Sequence, residues 1–456
     1  MASKRGKRAG GGVSVPTTGG PVRDVGHPVF GQPQPTPDPG TFRVQHASDK
    51  AAYTAIDQLN KQHKIHPSKI PPPRGGVEPQ LTLQQVLGGD AAAIRAITNQ
   101  KQIVFHATGD CGSTRGPATQ SQVADKMVSD FTEADPKEVP RFNLLLGDVV
   151  YSFGEQQYYY DQFYEPYRDY PAPILAAAGN HDGMVAPNTK ADTLAAYLRN
   201  FCSESFVVTP EAGGLSRTAQ IQPGVFFTFD APFVRILVLY SNSLEDPGVI
   251  ADPTIGDSQI QFLTAALGRA KKETYKGAIL LAFHHPPYTP GNGRGHGGSQ
   301  QMLADIDKVC GAVGLWPHAV LAGHVHNYQR FTRTRPDGTQ IPYVSCGNGG
   351  HNVMPIGGHG SPPIRAPQIV QKGRGVDQVV FENYDDKNYG YLRAVVTEAQ
   401  LRIEYHAASD GPHSKAPDDS VTIDIATRKI AAFAASDLGH PAAASAIRQK
   451  RKRVGG

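Results

Sequence analysis

From residue 102 onward, short apolar runs recur along the chain, and each of them stops at a glycine or a polar cluster. Runs of this length, rich in valine, isoleucine and leucine, are typical of buried strands. A glycine at the end of such a run permits the tight turn with which the chain leaves a strand. The runs and the residues that follow them are IVFHAT before Gly109-Asp110, FNLLL before Gly147-Asp148, PILAAA before Gly179-Asn180-His181-Asp182, VRILVLY before Ser241, AILLAF before His284-His285, and AVLA before Gly323-His324-Val325-His326.

Segments with a helix-like spacing of apolar residues lie between several of these runs, at residues 122–131, 257–272 and 302–309. Strands that alternate with helices predict an α/β layered body. Four further runs, YVSCG, LRAVVTE, LRIEYHA and SVTIDIA, follow one another closely and predict a second, antiparallel sheet. The expected fold class is therefore α/β, or α+β.

The two ends of the chain differ from this middle part. The first residues are rich in Gly, Pro and Thr and predict disorder. Two helix-like patches follow, at 51–62 and 81–97, separated by the helix breaker Pro71-Pro72-Pro73. The predicted division is a disordered tail at residues 1–45, a helical appendage at 46–100, the main α/β domain at 101–428, and an Ala-rich helix with a basic tail at 429–456.

The net charge of +4 comes from basic residues in the two tails, such as the run at 448–453. Basic tails can contact nucleic acid, but we favour a solubilising role for these ends. No apolar run approaches the roughly 20 residues of a membrane span, and the N-terminus lacks the apolar middle of a signal peptide. The four cysteines are scattered without a CxxC pair, which fits a reducing compartment. We therefore expect a cytoplasmic protein with no membrane partner.

Asp, Asn and His side chains follow at least five of the predicted strands. The carboxyl ends of strands in an open α/β sheet converge at one edge, so these side chains should face one another. A mixture of oxygen and imidazole ligands suits iron, manganese or zinc. His324 and His326 are two positions apart, which places both on one face of a strand, where they could reach two adjacent metals. The sequence thus predicts a centre with two metal ions.

The series GD(110), GDVVY(147–151), GNHD(179–182), HHPPY(284–288) and GHVH(323–326) resembles the motifs of the calcineurin-like metallophosphoesterases. The resemblance covers roughly residues 102–350. It implies a four-layer β-sandwich flanked by helices, and a site that holds two metal ions.

Two positions resemble the purple acid phosphatase branch of that family. Most of the superfamily has Asp-x-His in its first motif, whereas this chain has Asp110-Cys111-Gly112. Tyr151 stands three residues after Asp148, where that branch has a tyrosinate ligand. The resemblance therefore implies Fe(III) together with a divalent Fe, Mn or Zn ion, because a trivalent cation deprotonates a phenol whose ordinary pKa is about 10.

The resemblance also implies a ligand set. Asp148 would bridge the two metals, and His284 is preferred to His285 as a ligand because the family pattern is His-x-Pro and Pro286 follows. If His285 is not the ligand, it would line the pocket or lie in the core. The implied ligands are Asp110, Tyr151 and His326 for the first metal, and Asn180, His284 and His324 for the second.

Three histidines near these motifs are candidates for catalytic roles: His181, His296 and, where it lines the pocket, His285. His181 resembles the family residue that contacts phosphate and assists the leaving group, and Asp182 could orient its imidazole or simply cap a turn. His296 lies twelve residues after His284, where the family has another substrate-contacting histidine, but a surface histidine is an equal alternative. His351, in a turn also familiar in the family, is given no role.

The function implied by this resemblance is metal-dependent hydrolysis of phosphate monoesters, with a metal-bound hydroxide as nucleophile and a small phosphorylated substrate. A phosphodiesterase acting on a small diester is the first alternative. Its known relatives keep the first-motif histidine, which this chain lacks. A non-catalytic scaffold on the same fold is a second alternative, but every expected ligand is present.

Overall fold

A computed structural model describes residues 51–433, except 63, 134, 187–188, 291–295, 357–359, 361, 374–375 and 412–414. The predicted tail at 1–45 and the basic run at 448–453 lie outside the described residues. The strands are β1 (Gln80–Thr82), β2 (Gln102–Thr108), β3 (Asn143–Leu146), β4 (Ile174–Ala177), β5 (Phe227–Ala231), β6 (Val234–Val238), β7 (Ala278–Ala282), β8 (Ala319–Ala322), β9 (Tyr328–Thr334), β10 (Gln340–Cys346), β11 (Gln368–Gln371), β12 (Gln378–Asp385), β13 (Gly390–Thr397), β14 (Gln400–Ala407), β15 (Asp419–Asp424) and β16 (Lys429–Ile430).

Helices lie between many of these strands, as the alternating pattern predicts. None of the helices within the described part of the chain is long and apolar enough to cross a lipid bilayer. The α-helices are α1 (Ala51–Lys61), α2 (Leu83–Val86), α3 (Ala91–Gln100), α4 (Ala118–Ser129), α5 (Asn180–Gly183), α6 (Ala195–Phe201), α7 (Ser258–Lys272) and α8 (Gln300–Val313).

Two mixed sheets form the body of the protein. The nine-stranded sheet has the order β1-β5-β6-β7-β8-β10-β9-β12-β11, and its central strands β6, β7, β8 and β10 are parallel. The seven-stranded sheet has the order β16-β15-β14-β13-β2-β3-β4, in which β2, β3 and β4 are parallel. The α/β fold class is therefore confirmed.

The two sheets pack face to face through one apolar cluster. Phe105 and Leu144 from the seven-stranded sheet are buried in the same cluster as Leu280 and Leu321 from the nine-stranded sheet. A second cluster includes buried side chains of α4, α7 and α8 and covers outer faces of the body. Burial on both faces explains why the parallel strands are continuous apolar runs rather than alternating ones.

The prediction of an antiparallel second sheet from the four later runs is correct in part. Strands β13, β14 and β15 pair antiparallel, but the four runs do not form a sheet of their own. The run YVSCG lies in β10, which pairs in parallel with β8 in the nine-stranded sheet. The other three runs, in β13, β14 and β15, extend the sheet begun by β2, because β13 pairs antiparallel with β2. Spacing along the chain does not encode which distant edge a strand will join.

The patch at 81–97 is also not one helix. Thr82 ends β1 and begins α2 with a capping box, in which its side chain and that of Gln85 each accept from the other's backbone amide. Gly88 and Gly89 then take left-handed φ values of 66° and 88°, and Asp90 caps the start of α3. Local capping and two glycines therefore interrupt the apolar pattern.

Strands from both predicted outer segments belong to the sheets. β1, within residues 46–100, pairs in parallel with β5, with Leu81 opposite Phe229. β16, at the start of the predicted C-terminal helix, is a short strand, while residues 434–456 lie outside the described part.

The carboxyl ends of β2 and β10 meet where the two sheets approach each other. The amide of Gly109 donates to the carbonyl of Cys346 at 2.8 Å, and the amide of Gly349 donates to the carbonyl of Gly109 at 3.0 Å. These bonds bring the strand-end loops of both sheets to one place, and the candidate site lies there.

Candidate metal centre

The backbone turns sharply at the candidate ligands themselves. Asp110, Asp148, His324 and His326 have φ values of 55°, 54°, 71° and 50°, which lie in the left-handed region that non-glycine residues seldom adopt. Such conformations persist where the surrounding structure imposes them, and they concentrate at functional sites. Four predicted ligands therefore share one backbone feature that the sequence alone does not show.

Glycines beside the ligands leave room for close approach. A Cβ atom on Gly179 would overlap a carboxylate oxygen of Asp148, and one on Gly147 would overlap the His284 ring. A Cβ atom on Gly347 would meet a carboxylate oxygen of Asp110. The glycines that end the apolar runs thus allow the ligand side chains to converge, as well as allowing the chain to turn.

Asp110, Tyr151 and His326, here called the first ligand group, contact one another. The phenol oxygen of Tyr151 donates to Oδ1 of Asp110 at 2.9 Å and lies 3.3 Å from Nε2 of His326. Nε2 of His326 lies 3.2 Å from the same Asp110 oxygen. Three side chains from three strand-end loops therefore present their ligand atoms within about one hydrogen-bond length of each other.

Asn180, His284 and His324, here called the second ligand group, lie beside Asp148. Nδ1 of His284 donates to the carbonyl of Leu146 at 2.8 Å, and Nε2 lies 3.1 Å from Oδ2 of Asp148. Metal-binding histidines commonly donate their other ring nitrogen to a carbonyl in this way. Ligand atoms of Asp110, Asp148 and His284 all lie within 4.8 Å of one another.

Three buried polar atoms of the second ligand group have no hydrogen-bond partner among the described residues. They are Oδ1 of Asn180, Nε2 of His284 and Nε2 of His324. A buried polar atom without a partner costs about 1–3 kcal/mol, so it calls for a ligand, a water molecule or an ion. Amide oxygen and imidazole nitrogen are both ligand atoms that divalent transition metals bind. The residues present therefore fit the metal centre that the motifs imply.

The charges at the centre are strongly coupled. Burial opposes ionisation of Asp148, but the His284 and His181 rings outweigh burial and hold its pKa below the ordinary value. Burial also opposes protonation of His284, yet the Asp148 and Asp110 carboxylates raise its pKa to about 10. Burial and the same two carboxylates raise the pKa of Tyr151 well above its ordinary value. A cation in this position would replace protons that the carboxylates now attract.

His181 has a fixed ring orientation beside Asp148. Its Nδ1 donates to the carbonyl of Ser152 at 2.7 Å, and its backbone amide donates to Oδ1 of Asp148 at 2.8 Å. Because a carbonyl can only accept, the neutral ring carries its proton on Nδ1. Nε2 then lies on the side of the metal centre, 3.9 Å from Oδ2 of Asp148.

Of the two interpretations of Asp182, its hydrogen bonds support the turn cap. Its carboxylate accepts from the backbone amides of Gly179 at 2.8 Å, Val149 at 3.1 Å and Val150 at 3.3 Å. Burial and the nearby Asp148 charge raise the pKa of Asp182 to about 7. Asp182 therefore joins the loop after β3 to the loop after β4.

The structure separates the two remaining histidine candidates. Both ring nitrogens of His285 are engaged by the protein, since Nδ1 lies 2.7 Å from the Ser241 hydroxyl and Nε2 donates to the Leu244 carbonyl at 2.8 Å. The His296 ring, in contrast, has its centroid 4.9 Å from that of His324 and 4.7 Å from that of His326. His296 thus lies against the candidate ligands His324 and His326, while His285 holds the loop after β6.

Sequence reasoning missed Glu245 and gave no role to His351. Glu245 is buried in the loop after β6, and its Oε2 accepts from Nδ2 of Asn180 at 2.9 Å. The His351 ring stacks on Tyr151, with centroids 3.6 Å apart and planes at 13°. An apolar run precedes each of these two residues: VRILVLY before Glu245 and YVSCG before His351. Since both runs end at the same edge as the predicted ligands, they were the sequence signal that could have identified the two residues.

The Cys111 thiol fills space at the first motif. It is fully buried, and burial raises its pKa above the ordinary value. All four cysteines lie within the described residues, and each is free.

Comparison with known proteins gives the same assignment as the motifs. Residues 103–328 match the family model of the calcineurin-like phosphoesterases. Purple acid phosphatase 22 of Arabidopsis thaliana is 22% identical over 299 residues, which cover 64% of this chain and 60% of that protein. An uncharacterized protein of Mycobacterium tuberculosis is 24% identical over 225 residues, which cover 47% of this chain and 39% of that protein.

The match to a solved structure of PhoD has a TM-score of 0.43 at 13% identity and covers 71% of this chain and 70% of that one. The chain spans about two fifths of the length of the Mycobacterium tuberculosis protein and three fifths of the length of purple acid phosphatase 22. The sequence motifs, the α/β fold and the family match all indicate the same family. Through residues 103–328, this chain belongs to the calcineurin-like phosphoesterase family.

Proposed function

We propose that this protein hydrolyses phosphate monoesters of small substrates at a centre with two metal ions, Fe(III) and a divalent Fe, Mn or Zn ion. The observation that carries the proposal is the position of the Tyr151 phenol. Its oxygen lies within 3.3 Å of both Asp110 and His326, so a phenolate is available to a first metal held by those two residues.

The first ligand group would hold Fe(III), and the second ligand group would hold the divalent ion, with Asp148 shared between them. When bound, the two ions supply Lewis-acid activation of the phosphoryl group and of the attacking water. The replacement of the superfamily's first-motif histidine by Gly112 supports this division. A ligand set with a phenolate and carboxylates favours a trivalent ion over a divalent one.

His181 and His296 are the residues suited to proton transfer and phosphate binding. The Ser152 carbonyl holds the His181 ring so that Nε2 lies beside Asp148, where a phosphoryl oxygen or a leaving group would be in reach. The His296 ring lies against the His324 and His326 rings. We assign His285 no part in this role, because its two ring nitrogens bind Ser241 and Leu244.

The proposal is tested with protein reconstituted with iron and either zinc or manganese. We expect kcat/KM for p-nitrophenyl phosphate to exceed that for bis(p-nitrophenyl) phosphate by more than tenfold. Protein with the substitution Asp148→Ala, purified in parallel, provides the background. A preference for the diester would replace the monoesterase by a phosphodiesterase on the same metal centre.

Metal analysis separates either enzyme from a non-catalytic scaffold. We expect close to two transition metals per chain after supplementation with iron and manganese. Less than one metal per chain, together with no hydrolysis above background of either substrate, would favour the scaffold and contradict the proposal.

A further inference from the structure

Glu245 is a buried carboxylate beside the second ligand group. It is only 2% exposed and follows β6 in the loop Ser241–Asp246. Its Oε2 accepts a hydrogen bond from Nδ2 of Asn180 at 2.9 Å. The same oxygen lies 3.9 Å from Nε2 of His181. A carboxylate removed from water in this way needs polar partners, and Asn180 provides one of them.

The contact with Glu245 determines the orientation of the Asn180 amide. A side-chain amide has an oxygen and a nitrogen of almost equal size, so shape alone does not decide which one faces a given neighbour. An ionised carboxylate can only accept, so it selects the NH₂ end. The oxygen Oδ1 is then turned away from Glu245, and this buried atom has no hydrogen-bond partner among the residues that the structure describes.

Neighbouring segments hold the Glu245 loop in place on both sides. His285 donates from Nε2 to the Leu244 carbonyl at 2.8 Å, immediately before Glu245. Nδ2 of Asn60, in α1, donates to the Asp246 carbonyl at 3.1 Å, immediately after it. The buried histidine and the N-terminal segment thus fix the backbone on either side of Glu245.

We propose that Glu245 is a positioning residue of the second metal site, which acts by holding the Asn180 amide with Oδ1 towards the metal. The role rests on the proposed function, since it requires that Asn180 bind a metal. The Asn180 amide nitrogen is a poor metal ligand, so a reversed amide would withdraw one of the four ligands proposed for this site. Residues that orient metal ligands typically change metal affinity about 10- to 100-fold when replaced.

The test starts from metal-free protein and fills its first site with Fe(III). The second site is then titrated with Zn²⁺ or Mn²⁺, and the binding is followed by calorimetry. We expect Glu245→Leu to weaken the second binding step at least tenfold and to leave Fe(III) binding unchanged. Glu245→Gln keeps an oxygen that can accept from Asn180 but no longer excludes the reversed amide, so we expect a smaller loss of affinity than for Glu245→Leu. Glu211→Gln, at a buried glutamate paired with Arg199 at 2.8 Å, is the matched control for loss of a buried charge.

The possible results distinguish the positioning role of Glu245 from the proposed two-metal function. Equal weakening by Glu245→Gln and Glu245→Leu would mean that charge rather than amide orientation matters, and would overturn the positioning role. Unchanged second-site affinity in both variants would also overturn it, while the two-metal centre would stand. Failure of the unsubstituted protein to bind any metal would instead contradict the proposed function.

A reversed pair provides a second test if Glu245→Leu does not fold. Asn180→Asp alone places two carboxylates against each other, whereas Asn180→Asp with Glu245→Gln restores a donor facing an acceptor. We expect the double variant to bind the second metal more tightly than the single variant. Equal affinity in the two would contradict the proposed contact.

Discussion

The phenol oxygen of Tyr151 donates a 2.9 Å hydrogen bond to Oδ1 of Asp110, although the two residues lie 41 positions apart in the chain. Burial and the neighbouring carboxylates raise the pKa of this phenol well above its ordinary value. A trivalent cation between the two side chains would displace the phenol proton and bind the phenolate. This relationship makes the colour of the iron-loaded protein a direct report on the first ligand group.

Tyr151→Phe is expected to abolish visible absorption. The oxidised, iron-loaded protein should absorb broadly in the visible range and look pink to purple, because a phenolate bound to Fe(III) transfers charge to the metal. Visible spectra of the two proteins at equal iron content check this. Tyr159→Phe, which removes another fully buried hydroxyl, should keep the colour. An active but colourless unsubstituted enzyme would show that the metal assignment is wrong.

His351→Ala is expected to shift or broaden the same absorption band. The imidazole lies 3.6 Å from the phenol ring and is anchored by a 2.8 Å bond from Nδ1 to the Gly112 carbonyl. Loss of this flat support frees the Tyr151 ring to rotate. His351→Phe keeps an aromatic face without the Gly112 bond and should cause a smaller shift. Identical spectra for all three proteins would argue against any influence of the stack on Tyr151.

Asp148→Ala is expected to remove both metals. The carboxylate lies between the two ligand groups, within 4.8 Å of ligand atoms of both Asp110 and His284. Its loss also removes the carboxylate that contributes most to raising the pKa of His284. Metal content after dialysis should fall below about one tenth of the unsubstituted value. Asp337→Ala, at an exposed turn, is the control and should retain both metals. Full activity of Asp148→Ala would overturn the site.

Gly179→Ala is expected to reduce metal content without changing any ligand. The added methyl group would overlap Oδ1 and the backbone nitrogen of Asp148, and that oxygen already accepts a hydrogen bond from the His181 amide. Gly311→Ala, in α8, meets no atom within 4 Å and should stabilise the helix by about 0.5–1 kcal/mol. Metal analysis and thermal unfolding of the two variants compare the effects. A Gly179→Ala protein with two metals would show that the close approach is not needed.

Glu404 is expected to make folding stability depend on pH in the acidic range. Burial opposes its ionisation, but a hydrogen bond with His406 and the charges of Arg393 and Arg402 outweigh burial and lower its pKa from 4.5 to about 2. Because the pKa is lower in the folded state, the unfolded chain binds more protons, and the stabilisation is lost as pH falls from about 4.5 towards 2. About 2 kcal/mol should disappear between pH 7 and pH 3.

Urea unfolding of metal-free protein at pH 7 and pH 3 measures this loss, since metal release would otherwise contribute. Glu404→Gln should reduce the difference in unfolding free energy between the two pH values. Glu398→Gln, at an exposed turn next to the same strand pair, should leave the difference unchanged. A Glu404→Gln protein with the full pH dependence would assign the effect to other carboxylates.

The sequence by itself determined the strands, most of the helices and the ligand types at the strand ends. The segments 257–272 and 302–309 are helical as predicted, and Asp110, Asp148 and Asn180 follow strands as their glycines indicated. These features are local, because apolar periodicity, capping residues and glycines act within a few residues. The motifs that resemble a known family also stand at positions marked by these local signals, directly after apolar runs.

Only the tertiary structure decided which distant residues share a contact. Glu245 lies 65 positions from Asn180, and His351 stacks on Tyr151 across an even longer separation. The direction of the His285 ring likewise depends on Ser241 and Leu244, not on its neighbours in the chain. Such contacts follow from strand register and from the face-to-face packing of two sheets, and chain spacing encodes neither of them. The sequence therefore supplied the candidate ligands, while packing supplied the residues that contact them.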